Sequence, residues 1–98
     1  MGIEYEAPIP NRITADQIRE SLLEGISSLG WKIVRDTGRC LSVALPDRPD
    51  TSWDEDFMVC IDGRLYVVDY VMSNTPSLLA TIRQLVAPLC PELDWEEL

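Results

Sequence analysis

Residues 57–72 read FMVCIDGRLYVVDYVM, and this stretch decides the fold. Two apolar runs rich in β-branched and aromatic residues flank Asp62-Gly63, which is the strongest short-range signal for a hairpin with a two-residue turn. Such a turn pairs Val59 with Tyr66 on one face of the hairpin. Both faces are largely apolar, which is typical of a strand pair that is covered on both sides.

A helix with complete capping residues precedes the hairpin. Thr14 stands at the N-cap position and Gln17 follows three residues later, which is a capping box. Apolar residues at helical spacing come next, and Gly30 supplies the left-handed residue that ends a helix. The sequence therefore predicts a helix over residues 15–29. Because Gly25 inside it costs about 1 kcal/mol relative to Ala, we expect another element to approach closely there.

A second helix follows the hairpin. Thr75 is placed as its N-cap and Pro76 as its first residue, where the missing N–H costs nothing. Pro88 and Pro91 then end the helix near residue 88.

Two further strands are predicted at residues 31–35 and 40–45, on either side of Asp36-Thr37-Gly38. A two-residue loop would mix polar and apolar residues on both faces, whereas a three-residue loop pairs Ile33 with Leu41 and separates them cleanly. We therefore prefer the three-residue loop. The inner face then consists of Trp31, Ile33, Leu41, Val43 and Leu45.

The resulting order of elements is α-β-β-β-β-α, in a chain whose 98 residues suit one domain. The simplest α+β solution has two layers, a four-stranded antiparallel meander with both helices on one face. We divide the chain into an extended N-terminal arm (1–12), a single domain (13–90) and an acidic C-terminal tail (91–98).

Composition narrows the classes of function. The net charge of −9 disfavours direct binding to nucleic acid or to an anionic membrane and is compatible with a basic protein partner. The chain has no histidine, so the usual general base and the commonest zinc ligand are missing. It also has no apolar run of about 20 residues and no basic N-terminal region, so we expect a cytoplasmic protein without a membrane span or signal peptide.

The three cysteines are far apart in the chain and form no C-x-x-C motif. We interpret Cys40, Cys60 and Cys90 as reduced thiols in or near the core. A disulfide between Cys40 and Cys60, which could face each other across strands, is the less common alternative.

Asp56 and Asp69 are predicted to face each other across the open end of the hairpin. They could form a metal site or an acid–base pair. The simpler interpretation is that the hairpin frays there and both carboxylates are hydrated. No third ligand or nucleophile accompanies them, so we expect neither an enzyme nor a bound metal or cofactor.

Two acidic segments each surround a tryptophan. Residues 47–56 and 92–97 hold nine of the 17 acids, around Trp53 and Trp95. An aromatic residue rimmed by carboxylates is a reasonable anchor for a basic protein, although Trp53 could instead fold back onto the core. The predicted partner-binding residues are Trp53, Asp54, Glu55, Asp56, Asp94, Trp95 and Glu96.

The second face of the predicted sheet is apolar and has no cover from the two helices. A patch of this size is unusual on a monomer and favours association. The predicted association face consists of Met58, Cys60, Leu65, Val67 and Val71.

Two functions follow from these patterns. The first is a small acidic module that neutralises or escorts a basic partner, as immunity proteins, phage inhibitors and secretion chaperones do; size, charge and missing catalytic groups suggest this class, and no motif points to a family. The alternative is a structural or regulatory domain that forms a homodimer through the association face.

Overall fold

The chain folds into two helices and one six-stranded antiparallel sheet in a computed structural model that describes residues 3–46, 55–70 and 75–98. The strands are β1 (Ile3–Pro8), β2 (Lys32–Asp36), β3 (Cys40–Ala44), β4 (Phe57–Ile61), β5 (Arg64–Asp69) and β6 (Glu96–Glu97). The helices are α1 (Ala15–Ser28) and α2 (Thr75–Val86). The strand order in the sheet is β2-β3-β4-β5-β1-β6.

The α+β class with an antiparallel sheet is confirmed, but the four-stranded meander is too small. Both chain ends contribute a strand, since β1 pairs with β5 on one side and with β6 on the other. Pro8 at the end of β1 cannot donate a backbone hydrogen bond. It is tolerated because β6 pairs only with Tyr5 and Glu6, so Pro8 lies beyond the part of β1 that has two partners.

The hairpin between β4 and β5 differs by one residue from the predicted register. Ile61 pairs with Leu65 and Val59 with Val67, which leaves a three-residue loop with Gly63 at φ 69°. A shift of one residue moves every side chain of a strand to the opposite face. Leu65 and Val67 therefore point into the core, where both are 0% exposed.

The β2–β3 pair is also irregular. Ile33 pairs with Val43 rather than with Leu41, and the register shifts at Val34. The loop prediction is therefore wrong, although the inner face is right. Leu41 and Val43 are fully buried, and Trp31, Ile33 and Leu45 pack partly buried against the core.

Helix α1 has the predicted capping box. The backbone N–H of Gln17 donates to Thr14 Oγ1 over 3.2 Å, and the Thr14 N–H donates to Gln17 Oε1 over 2.9 Å. The close approach expected at Gly25 is also present, because a Cβ built there would lie 3.1 Å from Leu85 Cγ. The two helices thus cross at a glycine.

One core cluster joins both helices to the inward face of the sheet. Ile18 and Leu22 of α1 and Ile82 of α2 belong to it together with inward residues of β3, β4 and β5. None of the helices in the described parts of the chain is long and apolar enough to cross a bilayer.

Cysteine pairing departs from the expected reduced thiols. Cys40 and Cys60 stand directly opposite each other on β3 and β4 and form a disulfide. Cys90 is a free, buried thiol, as expected. Burial raises the pKa of the Cys90 thiol, and the neighbouring Glu92 carboxylate raises it further, so this side chain behaves as an inert core group.

Candidate functional site

A groove of about 520 Å³ lies between α2 and the C-terminal segment. Its volume falls within the range of roughly 300–1,000 Å³ that is usual for ligand clefts. The lining is mainly apolar and consists of Pro76, Leu79, Ala80, Arg83, Gln84, Ala87 and Trp95.

The chain reversal after α2 builds the second wall of this groove. Cys90 N–H donates to the Val86 carbonyl over 2.8 Å, and Cys90 and Leu93 are both 0% exposed. These buried residues bring Trp95 back against α2, where its Nε1–H donates to the Leu79 carbonyl over 3.1 Å. The indole is therefore held in place by packing and by a hydrogen bond, and it forms a fixed wall.

Two small side chains contribute to the floor of the groove. Ala80 lies on α2, Ala87 is the first residue after this helix, and both line the groove. Short side chains at these positions leave room next to the indole. The sequence interpretation missed both residues, and their small size was the available signal.

Trp95 stands between two exposed acidic residues in the chain. Asp94 and Glu96 precede and follow Trp95, and both are exposed. Five arginines are held in ion pairs with acids elsewhere, namely Arg12–Glu92, Arg19–Asp36, Arg35–Glu55, Arg39–Asp62 and Arg64–Glu6. Across the described residues, neither Asp94 nor Glu96 has such a partner. Glu96 pairs with Glu6, which in turn pairs with Tyr66, so Glu96 lies on the side of the sheet that faces away from the helices. Neither carboxylate lines the groove itself.

The other predicted acidic cluster is arranged differently. Trp53 and Asp54 lie outside the described residues. Glu55 Oε1 lies 3.5 Å from Arg35 Nη2 in an ion pair. Asp56 is 4% exposed, and its Oδ2 accepts a hydrogen bond from the Leu45 N–H over 2.6 Å. Asp56 therefore does not stand on an exposed rim, because it holds the end of β3 against the start of β4.

The fold does not bring the two clusters together. Glu96 on β6 and residues 55–56 before β4 are separated by β5 and β1 in the strand order. With neighbouring strands about 4.8 Å apart, the β4–β6 separation is roughly 14 Å. Among the described residues, the predicted partner-binding positions therefore lie at two separate places on the sheet, and only Trp95 contributes to a groove.

Asp56 and Asp69 are not directly opposed. Asp69 pairs with Phe57, and the Tyr70 N–H donates to the Asp56 carbonyl over 3.0 Å. Both aspartates are 4% exposed, so the expectation of a frayed, hydrated end is wrong. In the parts of the chain that the structure describes, no group of three or more potential metal ligands occurs.

The predicted association face is divided between the two sides of the sheet. Met58 and Cys60 lie on the open side, whereas Leu65 and Val67 are in the core because of the one-residue register shift; Val71 lies outside the described residues. Tyr66 takes the place of Leu65 on the open side and contacts Glu4. An ion pair of 2.6 Å between Arg64 and Glu6 lies beside it. This side is thus partly polar, and homodimerisation through it stays a prediction.

Comparisons with known proteins add no assignment. Scans against protein-family models, curated proteins and solved structures return no match for this chain. The chemistry of the groove and of the exposed acids next to Trp95 is therefore the basis for a function.

Proposed function

We propose that this chain is a small acidic protein-binding module that neutralises or escorts a basic partner. The observation that carries the proposal is the position of Trp95, whose fixed indole forms one wall of an apolar groove and whose two neighbours in the chain, Asp94 and Glu96, are exposed carboxylates. An apolar anchor site with a charged rim is the usual anatomy of a protein interface.

The two parts of this surface contribute differently to binding. Burying one large apolar side chain of the partner in the groove contributes about 1.5–3 kcal/mol. The exposed carboxylates of Asp94 and Glu96, together with the net charge of −9, attract basic partners and accelerate association. Affinity then depends on the groove, and the association rate depends on salt concentration.

Covering a basic surface is sufficient to neutralise it. A bound module blocks that surface sterically and offsets its charge, and neither effect requires a catalytic group. Immunity proteins, phage-type inhibitors and secretion chaperones act in this way, and this chain shares their small size and acidic charge.

The test uses a display library of random peptides selected against the purified chain. We expect enrichment of peptides that combine Lys or Arg with one large apolar residue, and binding that weakens as salt rises. Ala80→Arg fills the groove, and the double variant Asp94→Lys/Glu96→Lys reverses the charge of the two residues next to Trp95 in the chain. Each should weaken the selected peptides at least tenfold.

A matched control separates the groove from overall charge. Glu20→Lys/Glu24→Lys makes the same change in net charge on α1, where both residues are exposed. This control should bind the selected peptides nearly as well as the wild type. The proposal fails if both charge-reversal pairs weaken binding equally, or if the selected peptides carry no basic residues.

A further inference from the structure

Arg83 is an exposed cation on the wall of an apolar groove. Five arginines elsewhere each pair with a carboxylate. Arg83 forms no ion pair with any of the described residues, although acids outnumber bases by 17 to 8 in the chain. A guanidinium without an acidic partner is therefore available to a ligand in the groove.

Arg83 and Trp95 line the same groove. Arg83 follows Leu79 by four residues on α2, so its backbone N–H is directed at the Leu79 carbonyl. The indole N–H of Trp95 donates to that same carbonyl, so the aromatic wall lies beside the backbone of Arg83. Gln84 also lines the groove, and its side chain offers an amide N–H.

We propose that the groove holds the C-terminal residue of the basic partner. Its apolar side chain packs against Trp95, Leu79 and Ala80, and its terminal carboxylate binds the guanidinium of Arg83 with the Gln84 amide. This proposal rests on the proposed function and adds which part of the partner is recognised.

A C-terminal residue fits because it carries both groups on one Cα. With bond lengths of about 1.5 Å, the body of a Leu or Phe side chain lies roughly 4–6 Å from the carboxylate of the same residue. The indole and the guanidinium belong to the lining of one groove, so a single residue can contact both. Arginine is also well suited to the task, because its guanidinium can bind both oxygens of a carboxylate.

Calorimetric titration of a peptide series tests the proposal. Each peptide reads Lys-Arg-Lys-Ser followed by one final residue, which is varied over all 20 amino acids, and each is made as a free acid and as a C-terminal amide. We expect the free acids that end in a large apolar residue to bind at least tenfold more tightly than their amides. Arg83→Gln should abolish this difference, and Lys32→Gln, which removes an exposed cation from β2, should preserve it.

The outcomes separate this proposal from the proposed function. Equal binding of acids and amides that still weakens with salt overturns recognition of the terminal carboxylate and leaves the basic-partner function standing. The same proposal is overturned if a C-terminal amide with an internal Glu binds as tightly as the best free acid. If N-acetylphenylalanine alone binds that tightly, the basic residues add nothing to binding, and the proposed function is overturned instead. If no peptide of either form binds, both proposals are wrong.

Discussion

The substitution Gly25→Ala should destabilise this protein, although the same change usually stabilises a helix. Alanine is favoured over glycine in a helix interior by about 1 kcal/mol. Here the added Cβ would lie 3.1 Å from Leu85 Cγ and Cδ1 and closer still to Cδ2. Leu85 must therefore move as a whole, and overpacking of this kind costs typically 1–3 kcal/mol. The expected net effect is a loss of about 0–2 kcal/mol.

A double-mutant cycle isolates this contact. Leu85 is half-buried against the core, so Leu85→Ala alone should cost about 1–2 kcal/mol, which is less than a fully buried leucine costs. In the Leu85→Ala background the obstacle is absent, and Gly25→Ala should stabilise the protein by about 1 kcal/mol. The coupling between the two substitutions should then be about 1–3 kcal/mol in favour of the double variant.

Urea unfolding at neutral pH, followed by far-UV circular dichroism, measures all four proteins on one scale. Similar m-values across the set would show that the substitutions change stability and not the denatured state. The close approach of Leu85 would be refuted if Gly25→Ala stabilised the wild type by about 1 kcal/mol. It would also be refuted if the two effects added within about 0.5 kcal/mol.

Two other predictions concern the disulfide and the loss of stability at acidic pH. Replacing Cys40 and Cys60 with Ala should lower stability by about 3 kcal/mol, the chain-entropy estimate for a separation of 20 residues; urea unfolding with dithiothreitol should give the same loss for the wild type, and no response to the reductant would contradict the disulfide. Hydrogen bonds from arginines lower the pKa of two carboxylates. Arg19 lowers that of Asp36, and Arg12 lowers that of Glu92. The contribution of these two carboxylates to stability is therefore present above their unfolded-state pKa and is lost as pH falls below about 4. The urea midpoint of Asp36→Asn/Glu92→Gln should then depend less on pH in this range than the midpoint of the wild type. Equal pH dependence of the two midpoints would contradict this.

The parts of the fold that sequence predicted depend on local signals. The capping box of α1 involves Thr14 and Gln17, which are three residues apart, and Gly25 shows its unusual position by its type alone. Neither feature requires knowledge of a distant segment. The start of α1 and the close approach of a second element at Gly25 could therefore be inferred before the structure was known.

The register of β5 could not be fixed in the same way. The alternating sets Leu65 with Val67 and Tyr66 with Val68 are both largely apolar, so hydrophobic periodicity does not decide which set faces the core. The decision then depended on the length of the Asp62-Gly63 turn, and a two-residue turn was the wrong choice. This single step placed Leu65 and Val67 on the association face.

The candidate site could not be predicted from the sequence for a different reason. It depends on a contact between Leu79 and Trp95, which only the chain reversal after α2 brings together. Strand β6 has two residues, Glu96 and Glu97, and no apolar alternation that would signal a strand. The sequence thus identified Trp95 and the acids next to it in the chain, but not the groove that Trp95 forms with α2.

The charge pattern at β6 supports a basic partner. Glu96 on β6 stands directly opposite Glu6 on β1, and like charges at paired positions destabilise a sheet. Arg64 lies 2.6 Å from Glu6, and both Glu6 and Glu96 raise its pKa, so this one cation offsets part of the repulsion. Under the proposed function, a cation of the partner that binds Glu96 would relieve the rest and strengthen the β1–β6 pairing. Because Glu96 follows Trp95 directly in the chain, such binding would also stabilise the wall of the groove.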